Sequence, residues 1–140
     1  MKKIMNASNI MTTQLITFFP EDQVLSTIES LILNHISGAP VIGNDGQLLG
    51  IISEIDCMRM FVQSAYLNEL GGVVGDVMST DITTINSSMG IMAIAELFLE
   101  THYRRFPVVD NGNLVGQVSR RDVLKAVQKY DKGYSLNYVD

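Results

Sequence analysis

Apolar positions along this chain change their period in a fixed order, and they do so twice. Val24, Leu25, Ile28, Leu31 and Ile32 recur at helical spacing with Glu29 and Asn34 off the stripe, which predicts an amphipathic helix. Ile91, Met92, Ala95, Phe98 and Leu99 repeat that stripe. A short strand is expected before each helix, around Ile16 to Phe18 and around Thr83 to Ile85. Two strands follow each helix: Ala39 to Ile42 with Leu48 to Ser53, then Phe106 to Val109 with Leu114 to Ser119. Asn111-Gly112 reads as a two-residue hairpin turn, because both central positions must take positive φ. Asn44-Asp45-Gly46 fills the same place with one residue more. A second helix closes each unit, roughly Glu54 to Ala65 and Arg120 to Lys129. The order predicts an α/β (α+β) fold of two β-α-β-β-α repeats, with small sheets burying one face against helices.

The two units are copies. Ile10 to Arg59 overlays Val77 to Lys125 with an offset of 67 residues, falling to 66 after one deletion. Met11 falls on Met78, Thr13 on Thr80, Thr17 on Thr84 and Pro40 on Pro107. Gly46, Leu48, Gly50, Ser53 and Asp56 then fall on Gly112, Leu114, Gly116, Ser119 and Asp122. Solenoid repeats have shorter periods and more copies. The expectation is a repeat over 7–66, a connector over 67–75 with Gly71 and Gly72, a repeat over 76–130 and a tail over 131–140. The tail reads either as a frayed end or as a dimer contact. A repeat of about 50 residues is marginal alone, so a shared core and pseudo-two-fold packing, with equivalent clefts along the seam, are expected.

Composition narrows the function classes. The chain of 140 residues carries a formal net charge of −5, which argues against a nucleic-acid backbone binder. Residues 1–70 hold three Lys/Arg against seven Asp/Glu, and residues 71–140 hold seven against eight. Cys57 is the only cysteine, so no intrachain disulfide forms, and with two histidines the chain offers no metal-ligand cluster. The basic amino terminus lacks a sustained apolar run, so neither a signal peptide nor a membrane span is expected. These features suggest a soluble cytoplasmic protein.

Candidate chemistry sits where strands end. Ser53-Glu54-Ile55-Asp56 and Ser119-Arg120-Arg121-Asp122 each follow a strand and open a helix. The structural reading is a helix cap resembling a capping box, worth about 1 kcal/mol. The functional reading is compatible with it: a carboxylate there can accept hydrogen bonds from vicinal hydroxyls such as those of a ribose. His102-Tyr103-Arg104-Arg105 precedes the Phe106-Pro107-Val108-Val109 strand, whereas its counterpart His35-Ile36-Ser37-Gly38 has no arginine. The pair reads either as a solvated turn or as a guanidinium fork for phosphate. If that loop meets Arg120 and Arg121, four guanidinium groups gather at one cleft mouth. His35 and His102 match each other near helix ends, and no nucleophile with an oriented base accompanies them, so no catalytic residue is expected. Met11, Met78, Met89 and Met92 read as adaptable packing. Neither a phosphate-binding glycine loop nor a dinucleotide fingerprint is present.

Taken together, these residues resemble a tandem pair of CBS (cystathionine-β-synthase-type) domains, a Bateman module. The pattern is carried by Ile10-Met11-Thr12-Thr13 and Val77-Met78-Ser79-Thr80, by Ala39-Pro40-Val41-Ile42 and Phe106-Pro107-Val108-Val109, and by Gly50 to Asp56 and Gly116 to Asp122. The ordered set spans about residues 7–130. The resemblance implies a non-enzymatic regulatory sensor, with no required cofactor, that binds AMP, ADP, ATP or S-adenosylmethionine. It implies Asp122 and Asp56 on ribose with Ser119 and Ser53 beside them. Thr80, Ile82 and Thr84 would line one base pocket, and Thr13, Leu15 and Thr17 the other, with Pro107 and Pro40 on the adjoining strands. Arg104, Arg105 and Arg121 would reach phosphate. It further implies a homodimer acting on a separate, unidentified protein. The alternative is a ligand-free structural or protein-interaction module. The first copy lacks the arginines and has Glu54 where the second has Arg120, so unequal sites are expected.

Overall fold

The computed structural model describes residues 5–67 and 71–131; the expected carboxy-terminal tail beyond Asp131 lies outside the described residues. In chain order the elements are α1 (Ala7–Ile10), α2 (Val24–Leu33), β1 (Gly38–Ile42), β2 (Leu48–Ser53), α3 (Glu54–Leu67), α4 (Val74–Val77), α5 (Ile91–Glu100), β3 (Arg105–Asp110), β4 (Asn113–Ser119) and α6 (Arg120–Asp131). Two compact units result, one of Ile16–Ile82, the other of the chain up to Leu15 together with the chain from Thr83 onward. The spatial units are therefore offset from the sequence repeats, and the offset has a structural cause.

Each unit is built on an antiparallel hairpin, β1 with β2 and β3 with β4. Both hairpins carry a bulge at the same place. Val41 faces Gly50 and Ile42 faces Leu48, leaving Leu49 extra; Val108 faces Gly116 and Val109 faces Leu114, leaving Val115 extra. The Asn111-Gly112 turn takes positive φ at both positions, 52° and 83°, as a two-residue hairpin requires.

The strands expected before α2 and α5 shrink to a single parallel bridge each, Phe18 to Val41 and Ile85 to Val108. The bonds are Phe18 N–H to Pro40 O (3.0 Å) and Ile42 N–H to Phe18 O (2.8 Å). Extending that ladder backwards would require Pro40 to donate to Ile16, and proline has no N–H. Pro107 stops the matching ladder after Ile85 N–H to Pro107 O (3.0 Å) and Val109 N–H to Ile85 O (2.8 Å).

The outer edge of each hairpin is covered by a segment from the other sequence repeat. Ile51 and Ser79 exchange both backbone bonds at 2.9 and 2.8 Å, and Thr12 and Gln117 exchange both at 2.9 Å. The short helices preceding these segments, α1 and α4, were not expected from periodicity. They occupy matched places, with Ala7 N–H on Met89 O (2.9 Å) and Val74 N–H on Asp22 O (2.8 Å). Residues 5–13 thus belong to the unit of the second hairpin, and residues 73–80 to the unit of the first.

Each unit has a buried cluster of its own, drawn from both sequence repeats. Phe18, Val24, Leu31, Ala39, Val41, Ile52, Cys57, Met60 and Val74 form one buried cluster. Ala7, Ile85, Ile94, Phe98, Phe106, Val108 and Val118 form another, with the Phe98 and Phe106 ring centroids 4.3 Å apart. Each cluster is completed by the borrowed turn, through Val74 or Ala7. The helical stripes need correction. Val24, Thr27 and Leu31, and Ile91, Ile94 and Phe98, face the cores. Leu25, Ile32, Met92 and Leu99 lie exposed beside them, so each helix carries a wider apolar face than its own core uses.

Candidate functional site

The hairpin-to-helix turn that ends β2 and opens α3 holds Ser53 and Asp56; its copy between β4 and α6 holds Ser119 and Asp122. Both are reciprocal helix caps. Ser53 N–H donates to Asp56 Oδ2 at 3.0 Å, and Asp56 N–H donates to Ser53 Oγ at 3.3 Å. The second copy repeats this at 2.8 and 3.2 Å. The serine supplies the cap and the aspartate, three residues on, returns a bond to its amide. One oxygen of each carboxylate is therefore committed to the helix.

The other oxygen distinguishes the copies. Asp56 Oδ1 accepts from Ser79 Oγ (2.9 Å) and from the Arg59 guanidinium (3.2 Å), while Ser53 Oγ adds a bond to Oδ2 at 2.9 Å. The Asp56 residue is only 3% exposed. Four donors use the acceptor capacity of an ionised carboxylate. Asp122 is half-buried, and among the described residues its Oδ1 has no partner. Thr12 and Lys125 stand where the first copy has Ser79 and Arg59, and neither bonds to Asp122. Burial, then the negative charges of Asp56 and Glu54, push the neighbouring Cys57 thiol up, so it stays protonated.

The basic loop and the second cap meet. Arg120 N–H donates to Arg104 O (3.1 Å), the counterpart of Glu54 N–H to Ser37 O (2.9 Å). Arg120 also turns its Nε–H onto Tyr103 O at 3.1 Å, so this guanidinium braces the loop. Arg104 and Arg121 are exposed, and Arg105 is half-buried opposite Ser119 in the β3–β4 register. Pro40 and Pro107 are buried in mid-strand.

The exchanged segments change which residues accompany which aspartate. Thr80 and Ile82 belong to the unit of Asp56, not to that of Asp122; Thr13 and Leu15 belong to the unit of Asp122. Thr17 remains with Asp56 and Thr84 with Asp122. The cause is the crossing of each Met-Ser/Thr segment onto the edge of the other copy's hairpin. Sequence reasoning missed Ser79 and Arg59. An Asp-to-Arg spacing of three on a helix could have pointed to Arg59, whereas Ser79, 23 residues away, left no local signal. Among the described residues no group of three His, Cys, Asp or Glu side chains could hold a metal ion, and no helix is long and apolar enough to cross a membrane.

The doubled cap, doubled bulge and doubled proline strand correspond to a known domain. The CBS domain family model matches residues 7–63 and again residues 74–129. The chain belongs to the CBS-domain family. Among curated relatives, CBS domain-containing protein CBSX1 (chloroplastic) of Arabidopsis thaliana is 32% identical, over 84% of this chain and 61% of its own length. CBS domain-containing protein YhcV of Bacillus subtilis is 31% identical over 84% of this chain and 82% of its own. The chain spans 40% to 61% of the length of three of the relatives it matches, CBSX1 among them. Among solved structures, CBSX2 in complex with AMP superposes with a TM-score of 0.81 at 30% identity, covering 91% of this chain and 98% of that one. The two matches make the chain a tandem pair of CBS domains.

Proposed function

We propose that this CBS pair senses an adenosine-containing ligand (AMP, ADP, ATP or S-adenosylmethionine) and reports its occupancy to a separate protein. The observation that carries the reading is the open Oδ1 of Asp122 on a turn braced to the arginine loop. Vicinal ribose hydroxyls are the donors such an oxygen accepts, and the neighbouring guanidinium groups suit phosphate. That CBSX2, 30% identical, has been solved with AMP supports the ligand class. In this reading Ser119, Thr13, Leu15, Thr84, Arg104, Arg105, Pro107 and Arg121 serve Asp122. Ser53, Thr17, Pro40, Thr80 and Ile82 serve Asp56.

Calorimetric titration with the four ligands tests it. Asp122→Ala should abolish the tightest binding while Asp56→Ala leaves most of it, and Arg105→Ala should weaken AMP far more than adenosine. Charge-assisted contacts of this kind are worth about 1.5–3 kcal/mol. No binding of any of the four at millimolar concentration would sink the reading. The saturated carboxylate of Asp56 favours a second reading for that half alone, a closed structural cap. A ligand that raises the melting midpoint of an Asp122→Ala protein would contradict it.

The reading includes a homodimer in the cytoplasm. Apolar side chains stay exposed at matched positions of both copies: Leu25 with Met92, Ile32 with Leu99, Met58 with Leu124, and Phe61 with Val127. On α3, Ile55, Met58, Val62 and Tyr66 line one face. A second copy is the occupant that would match such a face to itself. Sedimentation should show a dimer that Met58→Glu with Val62→Glu converts to monomer; an unchanged mass would exclude this face.

A further inference from the structure

Taking Asp56 and Asp122 as the ribose-hydroxyl acceptors of the reading above, on which this inference rests, we propose that Arg59 is a specificity-determining latch on the first site. It occupies the oxygen of Asp56 that a diol would need. Three observations carry it. The Arg59 guanidinium lies 3.2 Å from Asp56 Oδ1, on a carboxylate whose Oδ2 is already committed to the α3 cap. Its side chain is 59% exposed while that of Asp56 is 4% exposed, so the guanidinium end can turn into water while the carboxylate stays held in its cap. The second copy has Lys125 at the matching position, and among the described residues it leaves Asp122 alone. The two copies share the cap and differ in the latch.

Oδ1 of Asp56 also holds Ser79 Oγ at 2.9 Å, so a ligand there must displace Arg59 to free the one remaining acceptor position for a hydroxyl, whereas a ligand at Asp122 displaces nothing. The guanidinium so released is a cation close to the ligand. A diol that carries its own anion can pair with it; a neutral nucleoside cannot. The first site thus discriminates against neutral nucleosides through Arg59, even though the arginines before the Pro-Val strand are missing from this copy.

The test uses the full chain with site two disabled by Asp122→Ala and adds Arg59→Met, which keeps the apolar stem and removes the charge. Adenosine is the probe, because a phosphate ligand would also lose an attraction. The double variant should bind adenosine about fivefold more tightly than Asp122→Ala alone, the equivalent of losing a competing ion pair, exposed at its arginine end, of ~1 kcal/mol. Arg59→Ala, in the same background, should act alike, and the melting midpoint of each variant establishes that it is folded. Equal or weaker adenosine binding in both folded variants overturns the latch while leaving the reading of the Asp122 site intact, since wild-type binding at Asp122 is measured in parallel. Binding that appears only once Arg59 is replaced supports the latch even if the wild type binds none. Silence from every protein, the wild type included, overturns the latch and that reading together.

Discussion

A carboxylate can cap a helix and still meet a ligand only if its two oxygens have separate duties. Asp122 divides them: Oδ2 takes the Ser119 amide at 2.8 Å and Oδ1 is left open. Asp56 spends both, on Ser53, Ser79 and Arg59. The capping role was readable from Ser-x-x-Asp at a strand end, because it is local and the spacing alone implies it. The difference between the copies was not, because Ser79 reaches Asp56 across a chain crossing that no local pattern encodes. His35 shows a related limit. It matches His102 in sequence, yet His35 takes φ 53° where α2 ends, while α5 ends on Thr101 in extended conformation at φ −126°. His35 N–H bonds to Ile32 O (3.2 Å) and Ile36 N–H to Leu31 O (3.1 Å), the doubled closure of a Schellman end. A β-carbon is strained there, and the His35 side chain is exposed. His35→Gly is expected to stabilise the protein by about 0.5–1 kcal/mol, a rise of roughly 2–4 °C in Tm. A lower Tm would show that the imidazole makes a contact worth more than the strain.

At the scale of elements, buried prolines and glycines set where strands stop and what crosses them. Pro40 and Pro107 read from sequence as part of a Pro-Val strand, and the strands are there. Their consequence, a parallel neighbour cut to one bridge, follows from the direction in which the missing N–H would have pointed, which depends on the pairing register. Gly50 and Gly116 likewise matched in sequence without a visible reason. The reason is close approach: a β-carbon on Gly50 would sit 2.8 Å from the Ser79 carbonyl oxygen and 2.8 Å from Met78 Sδ. On Gly116 it would sit 2.6 Å from Met11 Sδ but 3.1 Å from the Thr12 carbonyl oxygen. A thioether can rotate away, whereas a backbone carbonyl held in a two-bond bridge cannot. Gly50→Ala is therefore expected to cost about 1–3 kcal/mol and Gly116→Ala less, measured by denaturant unfolding. The reverse order would mean that the Met11 segment is the more tightly held.

For the whole molecule, the segment exchange is the feature that matters most and that sequence could least reveal. An internal repeat identifies equivalent residues; it does not say which copy's hairpin an edge segment joins, because both edges offer the same pattern to the same motif. Helices and hairpin strands were legible because their periods are local. The exchange is set by cores that only the folded chain assembles, Ala7 in one and Val74 in the other. It predicts that damage to one repeat's leading segment is felt in the other repeat's hairpin. Met11 packs against the cluster of Phe106, Val108 and Val118, and Met78 against that of Val41 and Ile52. Both side chains are half-buried, so Met11→Ala should cost about 1–3 kcal/mol, toward the low end for core methionines. Hydrogen exchange locates the loss, since amides report local opening. In Met11→Ala, protection should fall in β3 and β4, 90 or more residues along the chain, and persist in β1 and β2; Met78→Ala should do the opposite. Loss confined to the hairpin of the mutated residue's own repeat would refute the exchange, and with it the assignment of Thr13 to the aspartate at 122 and of Thr80 to that at 56.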